Sequence, residues 1–174
     1  MVLKTNIKGL ILRNYILEDA VSYAEHANNY NIWKYFRDEF PNPYTIEKAK
    51  EYIGNICDTN QKTYLAISLH DIVIGDIHVA QQTDILKLSG FLGYWLAEEF
   101  WGKGIMTEAV RVFTKYIFDN SEVIRIFARV FSNNVGSMKV LEKAGYIQEG
   151  YFKNAIIKEG KIYDQLQYAK LKST

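Results

Sequence analysis

The chain has 174 residues, 48% hydrophobic and 24% charged, enough to bury a good core in one globular domain spanning 1–174. A formal net charge of +1 gives no drive toward nucleic acid or an anionic membrane, and no apolar run of about 18 residues marks a leader or a membrane span. The lone Cys57 excludes an internal disulfide and fits a reducing cytoplasm, while His26, His70 and His78 share no zinc-like spacing, so no metal is expected.

In chain order, residues 9–14 read as a strand and 17–28 as a helix. A variable stretch carries Trp33, Tyr35 and Phe36, and Pro41-Asn42-Pro43-Tyr44 turns the chain. Thr45 caps the next helix, over 45–57, with Ile46, Ala49, Ile53 and Ile56 on its apolar stripe. Cys57 falls in that stripe and reads as core filler. Strands follow at 62–69, 72–81 and 86–97. Asp76 and His78 are two apart on the second of these and so share a face.

The segment Phe91–Leu96 is apolar on both alternating faces, as a strand buried on both sides must be. It runs into Trp101-Gly102-Lys103-Gly104-Ile105-Met106, and a helix opens from 103 with Ala109, Val112, Phe113, Tyr116 and Ile117 at helical spacing. A glycine-punctuated turn at a helix N-terminus leaves several backbone N–H groups unpaired at the positive end of the dipole, which suits a phosphate or pyrophosphate. Such a turn also needs glycine for purely structural reasons. A dinucleotide fingerprint would require a third glycine and an acid about 20 residues on, and a P-loop would require Gly-Lys-Ser/Thr. Neither is present.

A strand over 123–131 places Ile124, Ile126, Ala128 and Val130 on one face. A helix over 134–144 stops at Gly145, and strands at 146–152 and 161–170 close the chain without linker or repeat.

The loop 101–106 resembles the coenzyme A pyrophosphate loop of the GNAT acetyltransferase superfamily, Gln/Arg-x-x-Gly-x-Gly/Ala, with Trp101 and Met106 departing from the strict pattern. Both departures, with Thr107-Glu108-Ala109 following, are similar to the branch of ribosomal-protein N-terminal acetyltransferases, RimJ/RimL-like. About thirty residues on, Asn134, Ser137, Leu141, Gly145 and Tyr146 fill every fixed position of the second GNAT signature. Leu12-Arg13 with Glu18-Asp19-Ala20, Ile74-Gly75-Asp76-Ile77, and Gly150 with Asp164-Gln165-Leu166 resemble the family's flanking elements, so the likeness covers roughly residues 8–171. It implies an α/β, mixed α+β fold: the acyl-CoA N-acyltransferase sheet of about seven twisted strands, splayed at its centre between 91–96 and 123–131, with about four helices.

The resemblance further implies acetyl-CoA as cosubstrate and coenzyme A as product. The pantetheine arm would lie in the splay against the backbone of Tyr94, Trp95 and Leu96, and the pyrophosphate on the amides of Gly102, Lys103, Gly104, Ile105 and Met106 behind Trp101. A neutral amine would attack directly, leaving two proton transfers to assign. Ser137 is placed near the sulfur as proton donor, with Asn134 holding the pantetheine; both residues equally suit capping the helix that follows. Tyr146 is an alternative donor or a packing residue. Asp76, His78 and Glu149 are the candidate bases, beside release of the proton to water.

The acceptor side in the family is the first third of the chain. Trp33, Tyr35 and Phe36 there offer an aromatic wall or a core patch, and Arg37-Asp38-Glu39 adds acids for a cation. The expected activity is N-acetylation of a protein N-terminal amine. Acetylation of a small amine (polyamine, amino acid or antibiotic) and a non-catalytic coenzyme A-sensing module are the alternatives. No nucleic-acid or membrane partner is expected, and a homodimer is left open.

Overall fold

Alternating apolar residues build one mixed sheet of eight strands in the order β1-β2-β3-β4-β5-β6-β8-β7. The computed structural model describes residues 1–59 and 61–173. The strands are β1 (Val2–Lys4), β2 (Leu10–Arg13), β3 (Tyr64–Leu69), β4 (Ile72–Gln81), β5 (Ser89–Leu96), β6 (Arg125–Phe131), β7 (Ile147–Lys158) and β8 (Lys161–Leu171). Five α-helices join them: α1 (Ala20–Ala27), α2 (Tyr30–Trp33), α3 (Ile46–Asp58), α4 (Ile105–Asn120) and α5 (Val135–Lys143). Every strand pair is antiparallel except β5–β6, whose parallel crossover α4 supplies.

The sheet is covered on both faces because neighbouring residues of one strand point opposite ways. On β3, Leu65 and Ile67 join the core under α4 and α5, while Ala66 joins the second core under α1 and α3. On β5, Leu92 and Leu96 go to the first core and Trp95 to the second. Ile105, Met106, Ala109, Val110, Phe113 and Ile117 seat α4, leaving Arg111 and Lys115 exposed. Arg13 grips Asp19 through two 2.7 Å bonds, tying β2 to the start of α1. Thr45 caps α3 by accepting from the Lys48 amide, and Gly145 ends α5 at φ +83°.

Several elements differ from the sequence reading. Strand β1 carries no clear apolar alternation, and α2 is only four residues long, too short for a periodic pattern. The expected strand over 86–97 begins at Ser89, because residues 84–86 form a single 3-10 turn. Strand β7 runs to Lys158, well beyond 152. Cys57 is exposed, not core filler: the buried stripe of α3 runs through Ala49, Ile53 and Ile56, and Cys57 lies about 100° around the helix from Ile56. Ile124 precedes β6 and is 50% exposed, leaving Ile126, Ala128 and Val130 as that strand's buried set.

Candidate active site

Strands β5 and β6 pair only at Ser89↔Arg125, Gly90↔Ile126 and Phe91↔Phe127. Beyond that point β5 stays bonded to β4 as far as Leu96, and β6 to β8 as far as Phe131. The sheet therefore opens between them. The alternation of antiparallel bonds identifies the groups lining the gap. Gln82 N donates to Ser89 O and Ala97 N to Ile74 O, so the odd-numbered residues of β5 bond β4. The even ones, Leu92, Tyr94 and Leu96, turn their backbone groups into the gap. The same argument applied to Lys172 N→Ile124 O and Ser132 N→Asp164 O turns Arg129 and Phe131 of β6 toward it. Trp101 closes one end, donating from Nε1 to Leu96 O at 2.7 Å.

The loop leading to α4 lies beside this end. Gly102 and Gly104 sit at φ +75° and +78°, in the left-handed region that disfavours any side chain. The first helical bond of α4 is Glu108 N→Gly104 O. Among the described residues, the N–H groups of 102–107 find no acceptor. They are a run of unpaired donors at the positive end of a 16-residue helix. Ile105 and Met106 are buried in the core, so the bulk of Met106 points away from these amides.

Asn134 Oδ1 accepts from Ser137 N at 3.1 Å, capping α5 and holding its first turn. Ser137 Oγ then meets the Tyr94 hydroxyl at 2.8 Å, joining α5 to the gap-lining strand. Burial pushes the Tyr94 hydroxyl well above the usual phenol range, so it is neutral and able to donate. Tyr146 does not join this pair. Its hydroxyl is buried against Thr114 Oγ1 at 2.6 Å, inside the core under α4.

Asp76 and His78 lie on the opposite face of the sheet, within the second core. His78 Nδ1 lies 2.8 Å from Asp76 Oδ1. Asp76 is 1% exposed, and its Oδ2 accepts from Tyr15 Oη at 2.6 Å and from Tyr52 Oη at 3.0 Å. Burial and the Asp76 charge hold both phenols well above their usual range, so they stay protonated donors. The His78 ring stacks on Tyr64 at 4.8 Å, and its Nε2 faces Gly93, where a methyl group would come within 2.4 Å. Sequence spacing found the shared face of Asp76 and His78 but not Tyr15 and Tyr52, which approach from distant elements.

Glu149 stands apart from both groups. It pairs with Arg125 and accepts from Gln167, and Arg125 belongs to the closed end where β5 and β6 still bond.

Residues 29–38 bridge the two rims of the opening. Asn29 and Asn31 donate to Glu98, just after β5. Tyr35 reaches the far side, packing edge-on to Phe131 and donating to Asn133 O. Trp33 lies under the Lys158 ammonium at 3.5 Å, and Asp38 pairs with the same ammonium at 2.7 Å. The cation that Asp38 holds is thus the protein's own. Phe36 packs on Phe40 and, with Asp38, Phe131, Ile156 and Lys158, lines a pocket of about 290 Å³.

A family model described as Acetyltransferase (GNAT) domain matches residues 9–147. The probable N-acetyltransferase YjcK of Bacillus subtilis (strain 168) is 40% identical over 106 residues, covering 60% of this chain and 53% of that protein, so the chain spans about half its length. The ribosomal protein uS5-alanine N-acetyltransferase of Escherichia coli (strain K12) is 25% identical over 158 residues, covering 83% of this chain and 76% of that one. The solved structure of RimL, a ribosomal L7/L12 alpha-N-protein acetyltransferase in complex with coenzyme A, superposes with TM-score 0.84 at 19% identity over 98% of both chains. The chain belongs to the GNAT acetyltransferase family, and its relatives include the RimJ/RimL-like branch.

Proposed function

We propose that this GNAT protein transfers the acetyl group of acetyl-CoA to a primary amine, and that the amine is a protein N-terminus. The observation that carries the reading is the opening between β5 and β6, into which Tyr94 turns its backbone groups, beside the unpaired amides of 102–107. That donor set matches a pyrophosphate, and the gap matches an amide-bearing arm that completes a strand's bonds. The coenzyme A in the RimL structure, and a relative named for acetylating an alanine of ribosomal protein uS5, support cosubstrate and acceptor respectively.

Acetyl-CoA, when bound, supplies an acetyl group activated as a thioester. The chain's own residues do the rest. The amides of 102–107 hold the pyrophosphate, and the backbone of Tyr94 orients the arm. Ser137, backed by Tyr94, gives a proton to the departing sulfur. The residues of 29–38 border the acceptor's entry.

Thiol release should be followed with acetyl-CoA and three acceptors: a peptide with a free N-terminal alanine, the same peptide N-blocked, and a polyamine. Turnover of the free peptide alone is the expected result. Turnover of the polyamine alone would reassign the acceptor to small amines. Acetyl-CoA binding without turnover of any amine would leave a coenzyme A-sensing module.

A further inference from the structure

We propose that His78 Nε2 is the base that takes the proton from the acceptor amine, and that Asp76, pinned by Tyr15 and Tyr52, is its positioning residue. The inference rests on the acetyltransferase reading and assigns the proton transfer which that reading leaves open.

The hydrogen bonds determine which nitrogen is free. A carboxylate only accepts, so the 2.8 Å contact to Asp76 Oδ1 requires His78 to carry its proton on Nδ1. The lone pair then sits on Nε2. Asp76 cannot itself be the base: Oδ1 is taken by His78, Oδ2 by two phenols, and the group is buried at 1% exposure. Two phenol donors on one oxygen hold the carboxylate immobile, the arrangement that orients an imidazole. Tyr64 stacks on one face of the ring and limits its rotation.

Position agrees with chemistry. Nε2 lies against Gly93, whose neighbours Leu92 and Tyr94 turn their backbone into the gap. Gly93 is the residue that admits the ring, since any side chain there would collide with it. The His78 side chain is 22% exposed, so a proton can leave to solvent. The Tyr94–Ser137 hydroxyl pair reaches β5 from the other face. Proton acceptor and proton donor thus flank the strand from opposite sides. In the balanced step the amine nitrogen forms the C–N bond, the C–S bond breaks, His78 Nε2 takes the proton from nitrogen and Ser137 gives one to the thiolate; His78 then releases its proton to solvent and Ser137 regains one from it.

The groups facing this dyad are Tyr15 from the segment after β2, Tyr23 from α1, Tyr44 before α3, Tyr52 from α3 and Tyr64 from β3, with Glu51 near Tyr44. All five tyrosines are held above their usual range, so none of them titrates where an imidazole does, and among the described residues Asp76 is the carboxylate in direct contact with the ring.

The test has two arms. Long-range ¹⁵N–¹H spectra of the wild-type imidazoles should show His78 protonated on Nδ1 with Nε2 bare, and Asp76→Asn, whose amide can donate, should move the proton to Nε2. In kinetics, His78→Gln should lower kcat about 10²- to 10⁴-fold and remove the acid limb of the kcat/KM profile, with acetyl-CoA affinity unchanged by calorimetry. Tyr52→Phe should lower kcat by less and retain the limb. A wild-type His78 protonated on Nε2, or a folded His78→Gln enzyme with unchanged kcat and profile, overturns the assignment while wild-type turnover keeps the acetyltransferase reading. A wild type that acetylates no amine overturns that reading and the base with it.

Discussion

Tyr94 on β5 and Ser137 on α5 share a 2.8 Å hydroxyl–hydroxyl bond beside the opening in the sheet. The bond joins a gap-lining strand to the first turn of a helix whose cap, Asn134, holds the Ser137 amide. Ser137→Ala should cut kcat about 10²-fold with acetyl-CoA affinity unchanged, whereas loss of the Asn134 cap should cost about 1 kcal/mol of stability. Tyr94→Phe leaves the serine hydroxyl without its partner, and the double variant should lose no more than Ser137→Ala alone. Additive losses in that cycle would mean the two hydroxyls act separately.

Gly104 is the N-cap of α4 at φ +78°. An added Cβ would meet nothing within 4 Å, so crowding is no obstacle; the backbone conformation is. Forcing an L-residue there costs about 1–2 kcal/mol, which the loop would relieve by moving its amides. Gly104→Ala should weaken acetyl-CoA binding about tenfold in calorimetry while His78 chemistry, read as the imidazole tautomer, stays as in the wild type. Unchanged affinity would argue that the amides of 102–107 do not hold the pyrophosphate.

What the sequence made legible is local. The loop at 101–106 and the Asn134-to-Tyr146 signature are short runs whose spacing carries their geometry, and period two alone put Asp76 and His78 on one face. What it hid is long-range. Tyr15 reaches Asp76 across 61 residues and Tyr52 across 24, and nothing local distinguishes these two from the chain's 13 tyrosines. Tyr146 read as a possible donor because Gly145-Tyr146 completes a motif, yet its hydroxyl turns into the core to Thr114. The bridge of residues 29–38 depends on partners as distant as Lys158 and Glu159.

The buried phenols predict an alkaline limit. Burial and the Asp76 charge raise Tyr15, Tyr23 and Tyr52 well above 10, and burial raises Tyr44 to about 12. A group whose folded pKa is raised contributes its stability below the unfolded value and loses it as pH climbs toward the folded one. Stability should therefore be flat up to about pH 10 and then fall by about 1.4 kcal/mol per pH unit for each such tyrosine. Phenolate absorbance should lag until the chain unfolds cooperatively. Smooth titration of all 13 tyrosines near pH 10 without unfolding would contradict the buried network.

Lys158 at the tip of β7 is 3% exposed, with Trp33 beneath its ammonium and Asp38, itself 80% exposed, as its carboxylate partner. Asp38→Ala would leave a desolvated ammonium with only a ring for compensation, a worse state than removing both charges. Lys158→Met keeps the apolar stem over Trp33 and removes the charge, so it should restore much of what Asp38→Ala loses. Because Trp33 and Asp38 belong to the segment that also binds Glu98 and Phe131, loosening this contact should free both rims. Amides of residues 154–161 should exchange faster in Asp38→Ala, and the KM for the acceptor peptide should change several-fold with acetyl-CoA affinity constant. A shift in acetyl-CoA affinity instead would tie the hairpin tip to the cosubstrate side of the gap, and residues 29–38 would then not border the acceptor alone.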